Sequence, residues 1–140
     1  VDPIPAFVEQ ATAALPPGSV RHVSAVGLQD WCPTSANEPY PLIWVQWVLL
    51  YLTDDDSVAF LRRAGHSLAP DGYVVVKESV AKASRGWRAD EADGSLTRTH
   101  AQFETLFLRA GLAIAHCSPQ HGLPKEVYAV NMYALVPVPP

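Results

Sequence analysis

Apolar residues along the chain alternate between helical spacing and unbroken runs. Phe7, Val8, Ala11 and Leu15 recur near i, i+1, i+4 and i+8, which predicts an amphipathic helix. Pro3 and Pro5 suit the approach to its first turn, and Pro16-Pro17-Gly18 closes it. A short extended piece is expected over Val20 to Val26, ended by Gly27, and residues 31–40 read as loop. From Tyr40 to Leu50 the chain is almost continuously apolar, the pattern of a fully buried parallel strand. Thr53 is placed as the N-cap of a second helix. Asp54-Asp55-Asp56 lie where the helix dipole favours negative charge, and Val58, Leu61, Ala64 and Leu68 form the buried stripe. Pro70-Asp71-Gly72 predicts a turn into a second buried strand, Tyr73 to Lys77.

Residues 80–97 have no apolar period and read as a long surface loop. Helical spacing returns at Phe103, Leu106, Phe107 and Ala110, with Gly111 as the residue just past the helix end. Two strands follow, Leu112 to Ser118 and Val127 to Val136, and their link is too short for a crossover, so they pair antiparallel. Strands alternating with helices of this length predict an α/β fold: a mostly parallel, doubly wound sheet ending in an antiparallel hairpin.

Composition narrows the function classes. The 140 residues contain 10 Lys+Arg and 14 Asp+Glu, a net charge of −4, so a phosphate-neutralising nucleic-acid binder is not expected. No apolar run approaches the roughly 20 residues of a membrane helix, and no signal peptide is visible, so an intracellular location is expected. Cys32 and Cys117 form no disulfide or zinc framework, and the five histidines show no metal-binding spacing. No G-x-G, P-loop or G-x-S-x-G occurs.

In open α/β sheets ligands bind beyond the carboxyl ends of the strands. That rule selects Asp2, the segment Gly27 to Trp31, Gln46-Trp47 with Tyr51, and Lys77-Glu78-Ser79 with the loop after it. Asp2 is open to two readings: a ribose-binding acid at a strand end, or an ordinary helix-approach residue before proline. Gln46 stands in the most apolar strand and must find partners, either in the core or on a ligand. Trp47 is either core or the floor of a pocket for a cation or a proline ring. Asp90 and Asp93 either attract a cationic substrate or belong to a solvated loop, and composition alone favours the loop.

Several segments together resemble one family. Gly27-Leu28-Gln29-Asp30-Trp31, Ile43-Trp44-Val45-Gln46-Trp47 running to Tyr51-Leu52-Thr53-Asp54, and Phe60-Leu61-Arg62-Arg63 are similar to the S-adenosylmethionine-dependent protein α-N-terminal methyltransferases. So are Val75-Val76-Lys77-Glu78, Asp90 to Arg98, and Leu123-Pro124-Lys125-Glu126-Val127-Tyr128. The resemblance implies a Rossmann-like class I methyltransferase sheet over residues 1–140, entered at the end of the second strand and so lacking the first strand and the glycine-rich cofactor loop. It implies methylation of the free α-amine of proteins beginning Xaa-Pro-Lys, with S-adenosyl-L-methionine as cofactor, in the cytoplasm or nucleus.

By the same resemblance, Asp2 holds the cofactor ribose, Leu28 and Gln29 lie at its adenine end, and Gln46 meets its methionine part. Trp47 packs on the first residues of the acceptor. Asp90, Asp93 and Ser95 meet the amine and the third-position lysine, and Tyr128 lines the same groove. Relatives often have His where Tyr51 stands and Asn where Ser79 stands, both facing the reacting amine. A phenol with pKa near 10 is a poor base at neutral pH, so Asp93 is expected to receive the proton, directly or through water. Two alternatives from other classes stand beside this reading: a non-catalytic fragment that binds acceptor peptides, and a small-molecule methyltransferase.

Overall fold

In a computed structural model that describes residues 1–33, 38–124 and 126–139, the chain divides into two units, Val1–Cys32 and Pro33–Pro140. In the first unit, Pro5 opens helix α1 (Pro5–Ala14), where its missing N–H costs nothing. The Asp2 carboxylate accepts the Ile4 amide at 2.8 Å just ahead of it. The predicted apolar stripe is present in sequence, but no residue of α1 is buried. The extended piece expected over Val20 to Val26 is reduced to a single parallel bridge between Asp2 and Ala25.

The second unit is built on a four-stranded sheet: β1 (Tyr40–Gln46), β2 (Leu68–Val80), β5 (Leu112–Pro119) and β6 (Ala129–Pro137), in the order β1-β2-β6-β5. The β1–β2 pair is parallel, and both pairs made by β6 are antiparallel. The last strand therefore enters between β2 and β5, and the expected closing hairpin is β5–β6. Helices α2 (Asp54–His66) and α3 (His100–Arg109) pack on this sheet and on each other. Thr53 caps α2 by accepting the Asp56 amide, and Val58, Leu61 and Ala64 are buried as predicted, while Leu68 belongs to β2. Thr99 and Gln102 form a capping box at the start of α3. Phe103, Leu106, Phe107 and Ala110 are buried, and Gly111 follows at φ 79°. Phe103 and Phe107 meet Tyr133 of β6 at ring-centroid distances of 5.7 and 5.2 Å, which ties α3 to the sheet.

Three expectations need correction. First, β1 is not buried on both faces: Val45 is 4% exposed, but Leu42 and Trp44 are 51% and 53% exposed. Within this unit the helices cover Val45's side of the strand, and apolar continuity alone could not reveal that. Second, Pro70-Asp71-Gly72 does not precede the strand but lies inside β2 as an irregularity. The pairing advances from Tyr40 to Leu42 on β1 while β2 advances from Leu68 to Tyr73. Gly72 is needed there, because a Cβ would meet the Tyr40 carbonyl oxygen at 2.8 Å. Third, residues 80–97 are not structureless. They contain a small antiparallel hairpin, β3 (Arg88–Asp90) and β4 (Ser95–Thr97). Its alternation is too short for periodicity to register. Of the expected loop at 31–40, residues 34–37 lie outside the described residues, as does Lys125.

Candidate functional site

The carboxyl end of β1 passes into a tight turn whose backbone groups are held by β2 and by the segment after β4. Trp47 has φ 50°, the one non-glycine residue at positive φ among the described residues. For a bulky side chain this conformation persists only when its surroundings impose it. Here they do. The Trp47 amide donates to the Lys77 carbonyl at 3.1 Å. The next two amides, Val48 and Leu49, both donate to Glu78 Oε1 at 2.8 Å. Lys77 Nζ lies 5.1 Å from the centre of the Trp47 ring, a cation–π contact. Two consecutive residues of β2 thus hold three consecutive amides of the turn.

The carbonyl side of the same turn is held by Arg98. Its guanidinium donates to the Leu49 and Leu52 carbonyls at 2.8 Å each and to Asp54 Oδ1 at 2.9 Å. Arg98 is fully buried, as is Glu78. Burial pushes the Glu78 carboxyl up to about 7, against the downward pull of the two amides and the Arg98 charge. Because Arg98 directly follows β4, its anchorage brings the hairpin to the 3-10 turn Leu49–Tyr51.

That anchorage gathers the predicted polar residues. Asp90 Oδ1 accepts the Ala92 amide and Asp93 Oδ1 the Ser95 amide, each at 2.9 Å, and Gly94 completes the turn at φ 72°. These are Asx turns, the local bonding that makes Asp a turn residue. The Asp93 carboxyl is held below its usual range by hydrogen bonds from the Ser95 side chain and backbone and, to a lesser extent, from the Tyr51 phenol. Tyr51, Asp93 and Ser95 therefore form one group, and Asp90 pairs with Ser95 in the hairpin register. Asp90, Asp93 and Tyr51 are solvent-accessible.

Ser79 pairs with Val130, and Tyr128 immediately precedes β6, so both stand at the carboxyl-end edge of β2. Among the described residues no hydrogen bond joins either of them to Asp90 or Asp93. Asp2, Leu28 and Gln29 belong to the Val1–Cys32 unit, where Gly27 to Asp30 form a turn closed by the Asp30 amide on the Gly27 carbonyl.

Two residues are central to this geometry: Glu78, which the strand-end rule selects without giving it a role, and Arg98, to which sequence reasoning gives none. Glu78 had a readable signal: it falls on the i, i+2 register of Val74 and Val76, so a carboxylate occupies an inward strand position. Arg98 had none, since its role depends on tertiary placement.

Each unit, taken by itself, has polar capacity of a kind that a ribosyl sulfonium amino acid could use. Gln46 Oε1 accepts from Trp44 Nε1 at 3.1 Å. An indole N–H can only donate, so this bond fixes which way the Gln46 amide faces and leaves its NH2 group to donate to a carboxylate. Asp2 has one carboxylate oxygen on the Ile4 amide and a second that can accept from a diol.

Comparison with known proteins follows the same line. A family described as "AdoMet dependent proline di-methyltransferase" matches residues 1–136. The chain is 40% identical over 144 residues to "Alpha N-terminal protein methyltransferase 1" of Oryza sativa subsp. indica, covering 97% of this chain and 46% of the relative. It is 39% identical over 137 residues to "N-terminal Xaa-Pro-Lys N-methyltransferase 1" of Danio rerio, covering 96% of this chain and 60% of that protein. A solved SAM-dependent methyltransferase from Leishmania major superposes with a TM-score of 0.86 at 29% identity, over 95% of this chain and 52% of the other. The chain spans about half the length of the curated relatives it matches. It belongs to the AdoMet dependent proline di-methyltransferase family.

Proposed function

We propose that this chain supplies the acceptor-recognising edge of an S-adenosylmethionine-dependent methyltransferase acting on the free α-amine of proteins that begin Xaa-Pro-Lys. The observation that supports it best is the Tyr51–Asp93–Ser95 group: an exposed carboxylate held ionised suits a cationic terminus, and Trp47, four residues before Tyr51, offers an exposed indole suited to a proline ring. The name of the Danio rerio relative carries the same acceptor motif.

In the first unit Asp2, Leu28 and Gln29 are the candidates for the cofactor's ribose and adenine, and in the second unit Gln46 for its methionine part; the bound sulfonium methyl would supply the electrophile. The chain's own residues then bind and orient the acceptor. Trp47 packs on the first residues, Asp90 and Ser95 meet the lysine, and Ser79 and Tyr128 line the groove. Asp93 accepts a hydrogen bond from the amine, with Tyr51 alongside. The amine reacts as the neutral species, and with an α-amine pKa of about 7.7–8.0 roughly a tenth is neutral near pH 7. A carboxyl held below its ordinary range does not retain a proton there, so Asp93 receives the amine proton only in passing and releases it to water. Orientation then outweighs basicity, since a displacement of about 1 Å can cost on the order of a hundredfold in rate.

Incubation of the protein with S-adenosylmethionine and a Ser-Pro-Lys peptide, read by mass spectrometry, tests this reading. Methyl groups are expected on the α-amine and none on an N-acetylated control. Methylation confined to the lysine side chain, or none despite cofactor binding measured by calorimetry, overturns it.

A further inference from the structure

We propose that Glu78 is the positioning residue of the acceptor groove: its carboxylate grips the amides of Val48 and Leu49 and so fixes the turn that presents Trp47 and Tyr51. The inference rests on the acceptor reading above for its consequence, but its geometry stands by itself. Val48 and Leu49 donate to one oxygen, Oε1, at 2.8 Å each. Successive amides converging on an anion form a concave nest, and here the anion is the protein's own side chain. The residue before the nest, Trp47, sits at φ 50°, and the 3-10 turn after its first amide ends at Tyr51. Two aromatic groups of the proposed groove, Trp47 and Tyr51, thus flank the segment that Glu78 holds.

The other carboxylate oxygen, Oε2, is buried and has no hydrogen-bond partner among the described residues. A carboxylate held only for fold stability would be better replaced by an apolar side chain or satisfied on both oxygens. The one charged group that acts on it among the described residues is Arg98, which reaches the opposite side of the same turn through the Leu49 and Leu52 carbonyls. Burial places the ionisation of Glu78 near neutral pH. Hydrogen bonds to an ionised acceptor are shorter and about twice as strong as those to a neutral one. Ionisation therefore tightens the turn, and protonation from solvent loosens it.

The test is a pH titration of the 15N,13C-labelled chain by two-dimensional NMR between pH 5 and 9, the amide and indole N–H groups read through nitrogen and the Tyr51 ring through carbon. The Val48 and Leu49 amide protons are expected to move together with a midpoint near 7, with the Trp47 indole N–H and the Tyr51 ring following the same midpoint. Glu78→Gln is expected to abolish all four titrations, and Glu78→Asp to restore a pH-dependent response. Movement of the two amides with Trp47 and Tyr51 fixed would reduce Glu78 to a structural anchor and overturn the proposal, as would four resonances indifferent to pH. The wild-type titration needs no variant, so a misfolded Gln protein leaves the test intact. In parallel, Glu78→Gln should weaken binding of a Ser-Pro-Lys peptide by about tenfold at pH 8. A peptide that binds neither protein defeats the acceptor reading, while the resonances still judge the positioning.

Discussion

Two carboxylates lie on either side of the same turn and behave in opposite ways. Asp93 stands at an exposed hairpin tip, surrounded by donors from Ser95 and Tyr51, and its carboxyl is held below the ordinary range. Glu78 is buried beneath the turn, with two amides and Arg98 for company, and its carboxyl is pushed up to about 7. The difference shows that donors decide when water also solvates the charge, and that burial overrides comparable donors when it does not. It also separates two tasks. On the proposed reading, the exposed acid would offer a standing charge to an incoming cation, and the buried acid would set the backbone that carries Trp47 and Tyr51.

Arg98 holds the carbonyl side of that turn, so its removal gives the largest effect. Arg98→Met leaves the Leu49 and Leu52 carbonyls and Asp54 without their donor and removes the positive charge that acts on Glu78, and a loss of about 3–5 kcal/mol is expected from urea denaturation. A loss under about 1 kcal/mol would show that the turn holds without it.

The next effect is pH-linked. Glu78 has a folded pKa raised from 4.5 to about 7, so between those values the folded protein retains a proton that the unfolded chain has released. Its contribution to stability is complete below 4.5 and is lost as pH rises through 7. Relative to Glu78→Gln, the wild type should lose on the order of 3 kcal/mol across that window and nothing further above it. Parallel stability curves for the two proteins would remove the contrast with Asp93. For Asp93 the sign is reversed: its folded pKa is depressed, so its contribution is present above the ordinary aspartate value and fades as pH falls.

At the reacting end, Asp93→Asn is expected to reduce peptide methylation about a hundredfold and Tyr51→Phe about tenfold, because placement of the amine depends more on the anion than on the phenol. Equal losses would overturn that ranking. The smallest effect concerns Trp47. At φ 50° glycine is unstrained and alanine is not, so Trp47→Gly should be more stable than Trp47→Ala by about 1 kcal/mol, the reverse of the usual order.

Much of this architecture was legible in the sequence because it depends on local chemistry. Thr53, the acid triplet after it, the Phe103 to Ala110 stripe and Gly111 each act within a few residues, and each is found where expected. The acidic loop was legible as a cluster of Asp90, Asp93 and Ser95, but not as a hairpin, whose two strands have three residues each. The partial exposure of β1 was hidden, since an apolar run reads the same whether one face or both are covered. Arg98 was hidden for a different reason: its partners are 44 to 49 residues away, so nothing local announces it.

The central claim is that this edge recognises an unblocked Xaa-Pro-Lys terminus, and calorimetric titration with three peptides addresses it most directly. A Ser-Pro-Lys peptide should bind, and N-acetylation or replacement of its lysine by glutamate should each weaken binding at least tenfold. Equal affinity for all three peptides would contradict the account.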